Sequence, residues 1–259
     1  MPSVNIQHGM FSWMDLMTPD RDAAKAFYGE LFGWTYEDVP TDLGVPYTIC
    51  RKNGSDVGGI MIAAPDSPVP PSWNTYVLVD DIEHAATSAT EHGGTLHHPI
   101  TDVMTSGRMC VIQDPTGGVL CLWQALEQRG AGVFNEHGSL IWNELLTHDV
   151  DAAKAYYAAV LGWTYTAVDM PNGTYHLIMV GERRIGGIMA IGPDMPPEMP
   201  PHWGVYIAVD DVDPAVEDIK RLGGTLHNGP FDLDVGRFAV VADPQGAAFT
   251  AFKPNEIDD

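Results

Sequence analysis

The chain has 259 residues, of which 35 are acidic and 13 are basic, so its formal net charge is −22. So acidic a surface repels phosphate groups, and we expect neither nucleic acid nor an anionic membrane as a partner. The three cysteines, Cys50, Cys110 and Cys121, form no CxxC pair, which argues against a disulfide framework or a zinc ribbon. Because no signal-like segment and no apolar run of about 20 residues is visible, we expect a cytoplasmic protein.

The predicted elements of the first unit begin with a strand at 10–16. A helix follows, since Thr18-Pro19-Asp20 offers capping residues and a proline that the first turn tolerates. Apolar side chains then recur at i, i+3, i+4 and i+7 on one helical face, at Ala24, Phe27, Tyr28 and Leu31. Gly33 suits the end of this helix, and strand patterns follow at 45–52 and 57–63.

A Pro-rich stretch at 65–71 separates this unit from a second one. The second unit has a strand at 73–79, a helix from Ile82 to His92, and strands near 95–97, 107–113 and 118–124. Each unit is therefore predicted to have the order βαβββ.

The second half of the chain repeats the first. The segment from His8 to Tyr36 matches the segment from His137 to Tyr165 without a gap. Later motifs match after slips of one residue, in the order Gly-Gly-Ile-Met, Asp-Asp, Gly-Gly-Thr-Leu-His and Asp-Pro-x-Gly. Such self-similarity indicates duplication, and we place the two domains at 1–128 and 129–259, with 124–136 as the connection.

These motifs, in this order and spacing, resemble the vicinal-oxygen-chelate superfamily of the glyoxalase, bleomycin-resistance and dioxygenase type. The two-copy form is similar to a group of actinobacterial proteins described as hydroxylases. The resemblance implies an α+β fold with tandem duplicated domains, in which four βαβββ modules form two cupped mixed sheets. It also implies that the inner surface of each cup holds a small molecule.

The resemblance allows a test for the metal that many relatives use. Their ligand positions, carried onto the first copy, fall at Trp13, near Met61, at Asn74 and at Cys121. In the second copy they fall at Trp142, near Met189, at Gly204 and at Thr250. None of these positions offers the histidine or carboxylate that a divalent metal prefers, so we expect no metal and no other cofactor.

Three polar residues nearby are candidate catalytic groups: Asp15, Glu144 and His202. Asp15 and Glu144 each lie two residues beyond a tryptophan, so on a strand they share the tryptophan's face. His202 shares a face with Gly204 in the same way, and Glu144 and His202 could meet inside the second cup. The alternative is that the two carboxylates are satisfied polar groups at strand ends and that His202 only follows a proline bend.

Paired aromatic residues predict an apolar inner surface suited to a flat ligand. The aromatic pairs are Trp13/Trp142, Trp73/Trp203 and Tyr76/Tyr206, with Trp123 in addition. The full set of predicted ligand-binding residues is Trp13, Asn74, Tyr76, Cys121, Trp123, Trp142, Gly204, Tyr206 and Thr250. Core packing is the alternative: it is favoured for Trp34 and Trp163 and stays open for Trp13, Trp142 and Tyr206. For Arg108 and Arg237, bridges to neighbouring acids are favoured over an anion anchor.

Two functions follow from these features. The first is a metal-independent protein that binds a hydrophobic, aromatic small molecule, in antibiotic resistance or as an accessory of a natural-product pathway. The second is a glyoxalase-like lyase or isomerase, or a hydroxylase-type enzyme, that uses Asp15, Glu144 or His202. The two copies are expected to differ in function, and the chain to be a monomer or a homodimer.

Overall fold

The structure is a computed structural model that describes residues 5–42, 44–64, 67–170, 173–193, 195–196 and 198–255. Residues 65 and 66 of the predicted Pro-rich break lie outside these ranges. Among the described residues, no helix is long and apolar enough to cross a membrane.

The first copy contains two βαβββ modules, as predicted. The first module consists of β1 (Phe11–Thr18), α1 (Arg21–Phe32), β2 (Thr35–Val39), β3 (Tyr47–Lys52) and β4 (Ser55–Ile62). The second consists of β5 (Ser72–Leu78), α2 (Ile82–Glu91), β6 (Thr95–Val103), β7 (Gly107–Gln113) and β8 (Val119–Ala125).

The second copy repeats this order after the connection. Its first module consists of β9 (Leu140–Thr147), α3 (Val150–Leu161), β10 (Thr164–Met170), β11 (Gly173–Val180) and β12 (Arg183–Ala190). Its second consists of β13 (His202–Ala208), α4 (Val212–Arg221), β14 (Thr225–Leu233), β15 (Gly236–Ala242) and β16 (Ala248–Pro254). The boundary placed between residues 128 and 129 falls in the connection between β8 and β9.

Each copy forms one eight-stranded mixed sheet. The strand orders are β2-β3-β4-β1-β5-β8-β7-β6 and β10-β11-β12-β9-β13-β16-β15-β14. The central strands of the two modules pair antiparallel, β1 with β5 and β9 with β13, whereas each module closes with a parallel pair, such as β1 with β4. The α+β fold with four βαβββ modules and two mixed sheets is thus confirmed.

The long helices begin and end where the sequence predicts. The Asp20 side chain accepts a hydrogen bond from the Ala23 backbone N–H at 3.0 Å, which satisfies one of the free donors of the first turn. Gly33 ends the helix in the left-handed conformation with φ of 71°, which glycine adopts without a steric penalty. Asp149 and Gly162 do the same for α3.

The two copies pack through the helix-bearing faces of their sheets. Tyr28 of α1 lies against Trp73 of its own sheet and Phe249 of the other, with ring centroids 5.4 and 6.0 Å apart. Trp34 and Trp163 are buried, and their indole N–H groups donate across the copies to the backbone oxygens of Gly138 and Gly9. The prediction that these two tryptophans pack in the core is confirmed.

One aromatic prediction is wrong. Trp73 and Trp203 lie in this core, where their indole N–H groups donate to the hydroxyls of Tyr28 and Tyr157. Trp73 is three residues from Tyr76 on the same strand, and because strand side chains alternate, the two cannot share a face. The tryptophan pair Trp73/Trp203 is therefore absent from the inner, helix-free surface of the sheets.

Candidate functional site

The helix-free face of each sheet carries the candidate site. In the first copy, β1 presents Trp13 and Asp15, which lie opposite Tyr76 and Asn74 of β5. Cys121 of β8 lies beside Tyr76. We call this group the first cup, and its counterpart in the second copy the second cup, formed by Trp142, Glu144, Gly204, Tyr206 and Thr250.

A buried carboxylate lies at the centre of the first cup. Asp15 is 1% exposed and accepts three hydrogen bonds. Oδ2 accepts from the hydroxyls of Tyr76 at 2.7 Å and Tyr47 at 3.1 Å, and Oδ1 accepts from the side-chain amide of Asn74 at 2.9 Å. The Trp13 indole N–H in turn donates to the Tyr47 hydroxyl at 2.9 Å. The polar centre of this cup is thus closed by its own side chains.

The second cup repeats the relay with one donor fewer. The Trp142 indole N–H donates to the Tyr175 hydroxyl at 2.9 Å, and Tyr175 is hydrogen-bonded to Glu144. The Tyr206 hydroxyl donates to Glu144 Oε1 at 2.9 Å. Gly204 occupies the position equivalent to Asn74, so no side-chain amide is present there. Trp142, Glu144 and Tyr206 are only half-buried, whereas Trp13, Asp15 and Tyr76 are buried.

Tyr47 and Tyr175 belong to the hydrogen-bond networks of the cups and were missed by the sequence reasoning. Each ring lies over the second glycine of a Gly-Gly pair, Gly59 or Gly187, where any Cβ would overlap the phenol. The signal was available, because both halves keep a tyrosine in the third strand and two glycines in the fourth. Glycines inside a strand mark a close approach of other atoms.

The last strand of each copy supports the tyrosine beside the carboxylate. Cys121 and Thr250 are buried and hydrogen-bonded to Tyr76 and Tyr206, respectively. Burial raises the pKa of the Cys121 thiol, so the thiol stays protonated at neutral pH. These positions, predicted to contact ligand, lie beside the tyrosine that donates to the carboxylate.

Trp123 faces the connection between the copies. Its indole N–H donates to the Gln128 backbone oxygen at 2.8 Å, and its ring lies over Gly107. The corresponding residue of the second copy, Phe252, packs edge-on against Tyr206 with centroids 6.0 Å apart. Phe252 was missed by the sequence reasoning, although it aligns with Trp123 in the repeat. It adds an aromatic wall to the second cup.

His202 does not join Glu144. In the strand register His202 lies opposite Leu146, two positions beyond the Gly204–Glu144 pair and on the same face as Gly204. Its Nδ1 lies 2.9 Å from the backbone oxygen of Pro200, so the ring is held against the proline bend that precedes it. The hydrogen-bond partners of Glu144 are the two tyrosines, and among the described residues His202 is not one of them.

The two arginines form bridges to neighbouring acids. Arg108 pairs with Glu83 at 2.6 Å and with Asp102 at 3.1 Å. Arg237 pairs in the same way with Asp213 and Asp232. Both groups are exposed ion pairs at sheet edges, away from the cups, so neither arginine serves as an anchor there.

The electrostatics of both cups favour proton retention by the carboxyl groups. Burial raises the pKa of Asp15, partly opposed by the hydrogen bonds from Asn74, Tyr76 and Tyr47. Burial likewise raises the pKa of Glu144, opposed only by Tyr175 and Tyr206. Burial and the nearby carboxylate raise the pKa of Tyr206, so it remains a hydroxyl donor. A carboxyl group in such a site can form a hydrogen bond with a ligand or exchange a proton with it.

The donor set of neither cup fits a divalent metal. Such a metal needs several imidazole or carboxylate ligands that converge on one point. Each cup offers one carboxylate, already engaged by tyrosine hydroxyls, beside tryptophan, tyrosine and thiol or hydroxyl groups. Across the described part of the chain, no group of three or more His, Cys, Asp or Glu residues could hold a metal ion.

A cavity of about 430 Å³ lies outside both cups, beside the connection between the copies, and is lined in part by Lys52, His137 and Asp210. A smaller one beside α2 is lined by Glu83, Leu96 and Ile100 among others. Neither includes a cup residue, so a ligand at the cups would lie on the sheet surface and not within either of these cavities.

Comparisons with known proteins agree with this architecture. The family model described as Glyoxalase/Bleomycin resistance protein/Dioxygenase superfamily matches residues 9–122 and again 139–250. Among curated relatives, "Putative glyoxylase CFP32" of Mycobacterium tuberculosis is 44% identical over 254 residues, which cover 96% of each chain. "Anthracycline biosynthesis protein DnrV" of Streptomyces peucetius is 31% identical over 261 residues, covering 96% of this chain and 94% of the relative.

Solved structures show the same fold at low sequence identity. The 2,3-dioxygenase LapB from Pseudomonas sp. KL28 has a TM-score of 0.66 at 15% identity, covering 98% of this chain and 95% of the other. The Mn(II)-bound glyoxalase from Novosphingobium aromaticivorans also has a TM-score of 0.66, at 16% identity, covering 98% and 84%. The chain therefore belongs to the glyoxalase/bleomycin resistance protein/dioxygenase superfamily, with one family domain in each half.

Proposed function

We propose that this protein is a metal-independent member of its superfamily that binds a hydrophobic, flat aromatic molecule in the second cup. The observation that carries the proposal is the hydrogen-bonded carboxylate at the centre of each cup. Asp15 and Glu144 accept hydrogen bonds from tyrosine hydroxyls where a metal would require converging imidazole and carboxylate ligands. Carboxylate and phenol groups of this kind recognise the polar edge of an organic ligand.

The side chains of the second cup supply the rest of such a site. Trp142, Tyr206 and Phe252 present half-buried aromatic surface around Glu144. Small-molecule sites combine apolar, aromatic walls with a few placed polar groups. Contacts between aromatic rings add about 0.5–1.5 kcal/mol per pair beyond the burial of area. Gly204 leaves room for the ligand between these walls.

The relative named for anthracycline biosynthesis, 31% identical along almost the whole chain, supports an accessory role in a natural-product pathway. Binding and sequestration in antibiotic resistance is the closely related role. In both, the protein holds a flat, conjugated molecule, and a cup lined by aromatic rings is the feature that suits it.

An enzymatic function is the second candidate, because burial raises the pKa of Glu144. A carboxyl group whose pKa approaches the working pH can transfer a proton efficiently, as a glyoxalase-like isomerase or lyase requires. The relative named "Putative glyoxylase CFP32", 44% identical, supports this alternative. Glu144 is the stronger candidate base, since Asp15 is closed off and His202 is held at the proline bend.

The test combines metal analysis with binding. Purified protein is expected to carry no stoichiometric Ni, Zn, Fe or Mn, and a chelator to leave any activity unchanged. Aromatic polyketides, quinones and planar drugs are then screened by quenching of tryptophan fluorescence. Trp142→Ala should weaken binding, and the matched Trp13→Ala in the first cup should not. One tightly held metal per copy, or equal affinity for Trp142→Ala and wild type, would overturn the proposal.

A matched pair of variants separates binding from catalysis. If the protein turns over a substrate, Glu144→Gln should abolish the reaction while retaining measurable affinity for the ligand. His202→Ala should then have a smaller effect, because His202 is not hydrogen-bonded to Glu144. A reaction lost in His202→Ala but kept in Glu144→Gln would assign the chemistry to the histidine.

A further inference from the structure

The two cups differ at one position in a way that points to a ligand group. In the first cup the Asn74 amide donates to Asp15 at 2.9 Å, as the third donor to that carboxylate. In the second cup residue 204 is glycine, and Glu144 is left with the two tyrosine donors. The same relay of tryptophan, tyrosine and carboxylate therefore lacks one donor in the second copy.

The space of the missing side chain is open. A Cβ built on Gly204 would meet no atom closer than the Glu144 backbone oxygen, at 3.7 Å. Gly204 has ordinary strand backbone, so its conformation does not require glycine. The opening exposes Glu144, which is half-buried, whereas Asp15 under Asn74 is 1% exposed. A carboxyl oxygen in such a place gains from another hydrogen-bond donor.

We propose that the ligand of the second cup supplies this donor: a planar molecule whose phenolic hydroxyl or N–H binds Glu144 where Asn74 binds Asp15 in the first cup. The inference rests on the proposed function and narrows it to ligands that carry a neutral donor on a flat ring. It also assigns specificity to residues 74 and 204. The first cup carries its donor internally and excludes the ligand, so each chain binds one molecule.

The experiment compares phenols with their methyl ethers, which keep the shape and lose the donor. The probes are 2-naphthol, 2-anthrol and the two corresponding methyl ethers, titrated into the full chain by calorimetry or fluorescence quenching. Wild type should bind each phenol at least about tenfold more tightly than its ether, which is the size expected for a hydrogen bond to a charged acceptor. The stoichiometry should be one phenol per chain.

A variant at position 204 and a control variant complete the test. Gly204→Asn should fill the opening, donate to Glu144 and weaken phenol binding by about tenfold or more. Gly192→Ala is the control outside the cups, because a Cβ there would meet nothing within 4 Å, and it should bind within about threefold of wild type. Circular dichroism and thermal unfolding verify that both variants fold.

The outcomes separate the two proposals. If the ethers bind as tightly as the phenols and binding still depends on Trp142, the proposed function is supported, but the inference that the ligand donates a hydrogen bond to Glu144 is overturned. Unchanged phenol affinity in folded Gly204→Asn would overturn it as well. Failure of all four probes to bind wild type would overturn both proposals together.

Discussion

Replacing Gly187 by alanine should dismantle the relay at the centre of the second cup. A Cβ at this position would lie 2.5 Å from Cε1 of Tyr175 and closer still to its hydroxyl, so the phenol ring must move away. The hydroxyl then loses its bonds to Glu144 and Trp142. A bond to a charged group contributes about 1.5–3 kcal/mol and a neutral one about 0.5–1.5 kcal/mol. Alanine also restricts the unfolded chain more than glycine does, which raises the free energy of unfolding by about 0.4–1 kcal/mol and offsets part of this loss.

The net loss expected for Gly187→Ala is about 2–3 kcal/mol in the free energy of unfolding, measured by urea denaturation at neutral pH. Gly192→Ala is the matched control, because a Cβ at Gly192 would meet nothing within 4 Å. The loss should shrink strongly in a Tyr175→Ala background, since the clashing ring is then absent. A Gly187→Ala protein within about 0.5 kcal/mol of wild type, or an equal loss in the Tyr175→Ala background, would refute the reasoning.

Three further predictions concern the same hydrogen-bond networks. Tyr28→Phe removes the buried hydrogen bond to Asp243 of the other copy, which is 3.0 Å long, and should lower the free energy of unfolding by about 2–3 kcal/mol in urea titrations. A loss under about 0.5 kcal/mol would contradict a stabilising role of this hydrogen bond between the copies. Asn74→Ala should lower the free energy of unfolding by about 1.5–3 kcal/mol at neutral pH in the same assay, because it removes a hydrogen-bond donor to buried Asp15. An unfolding midpoint equal to that of wild type would argue against this hydrogen bond. Burial raises the folded-state pKa of Glu144 above its ordinary 4.5, so the contribution of this group to stability is present below pH 4.5 and is lost as the pH rises through the folded pKa. The free energy of unfolding of wild type, relative to that of Glu144→Gln, should therefore fall from pH 5 to pH 8. A difference that stays constant over this range would be inconsistent with the raised pKa.

The agreement between prediction and structure follows from local patterns. Helix α1 could be placed from an apolar stripe and from Asp20 and Gly33, because capping and left-handed termination depend on neighbouring residues alone. The burial of Trp34 and Trp163 was also predictable from their position directly after a helix. The family resemblance added the pairing of modules into sheets, which periodicity alone does not give.

The errors have equally definite physical causes. Trp73 was placed on the inner surface as one of the aromatic pairs of the repeat, although the alternation of strand side chains relative to Tyr76 excludes it. Tyr47 was missed because a tyrosine on an outer strand reaches the central carboxylate only across the folded sheet. The Asp-Pro-x-Gly motifs did not predict a contact between the copies, but Asp114 and Asp243 each accept a hydrogen bond from a tyrosine hydroxyl of the opposite copy, Tyr157 and Tyr28 respectively.

The sequence by itself determined the duplication and the βαβββ order of each unit, since these depend on residue identity and spacing. Only the tertiary structure decided which polar groups meet. In the folded protein Glu144 is hydrogen-bonded to Tyr175 and Tyr206 and not to His202. These contacts are set by strand register and by the reach of each side chain, which no local sequence pattern encodes. The tertiary structure also showed that Asn74 closes one cup while Gly204 leaves the other open, a difference that acquires meaning only when the carboxylate opposite each residue is known.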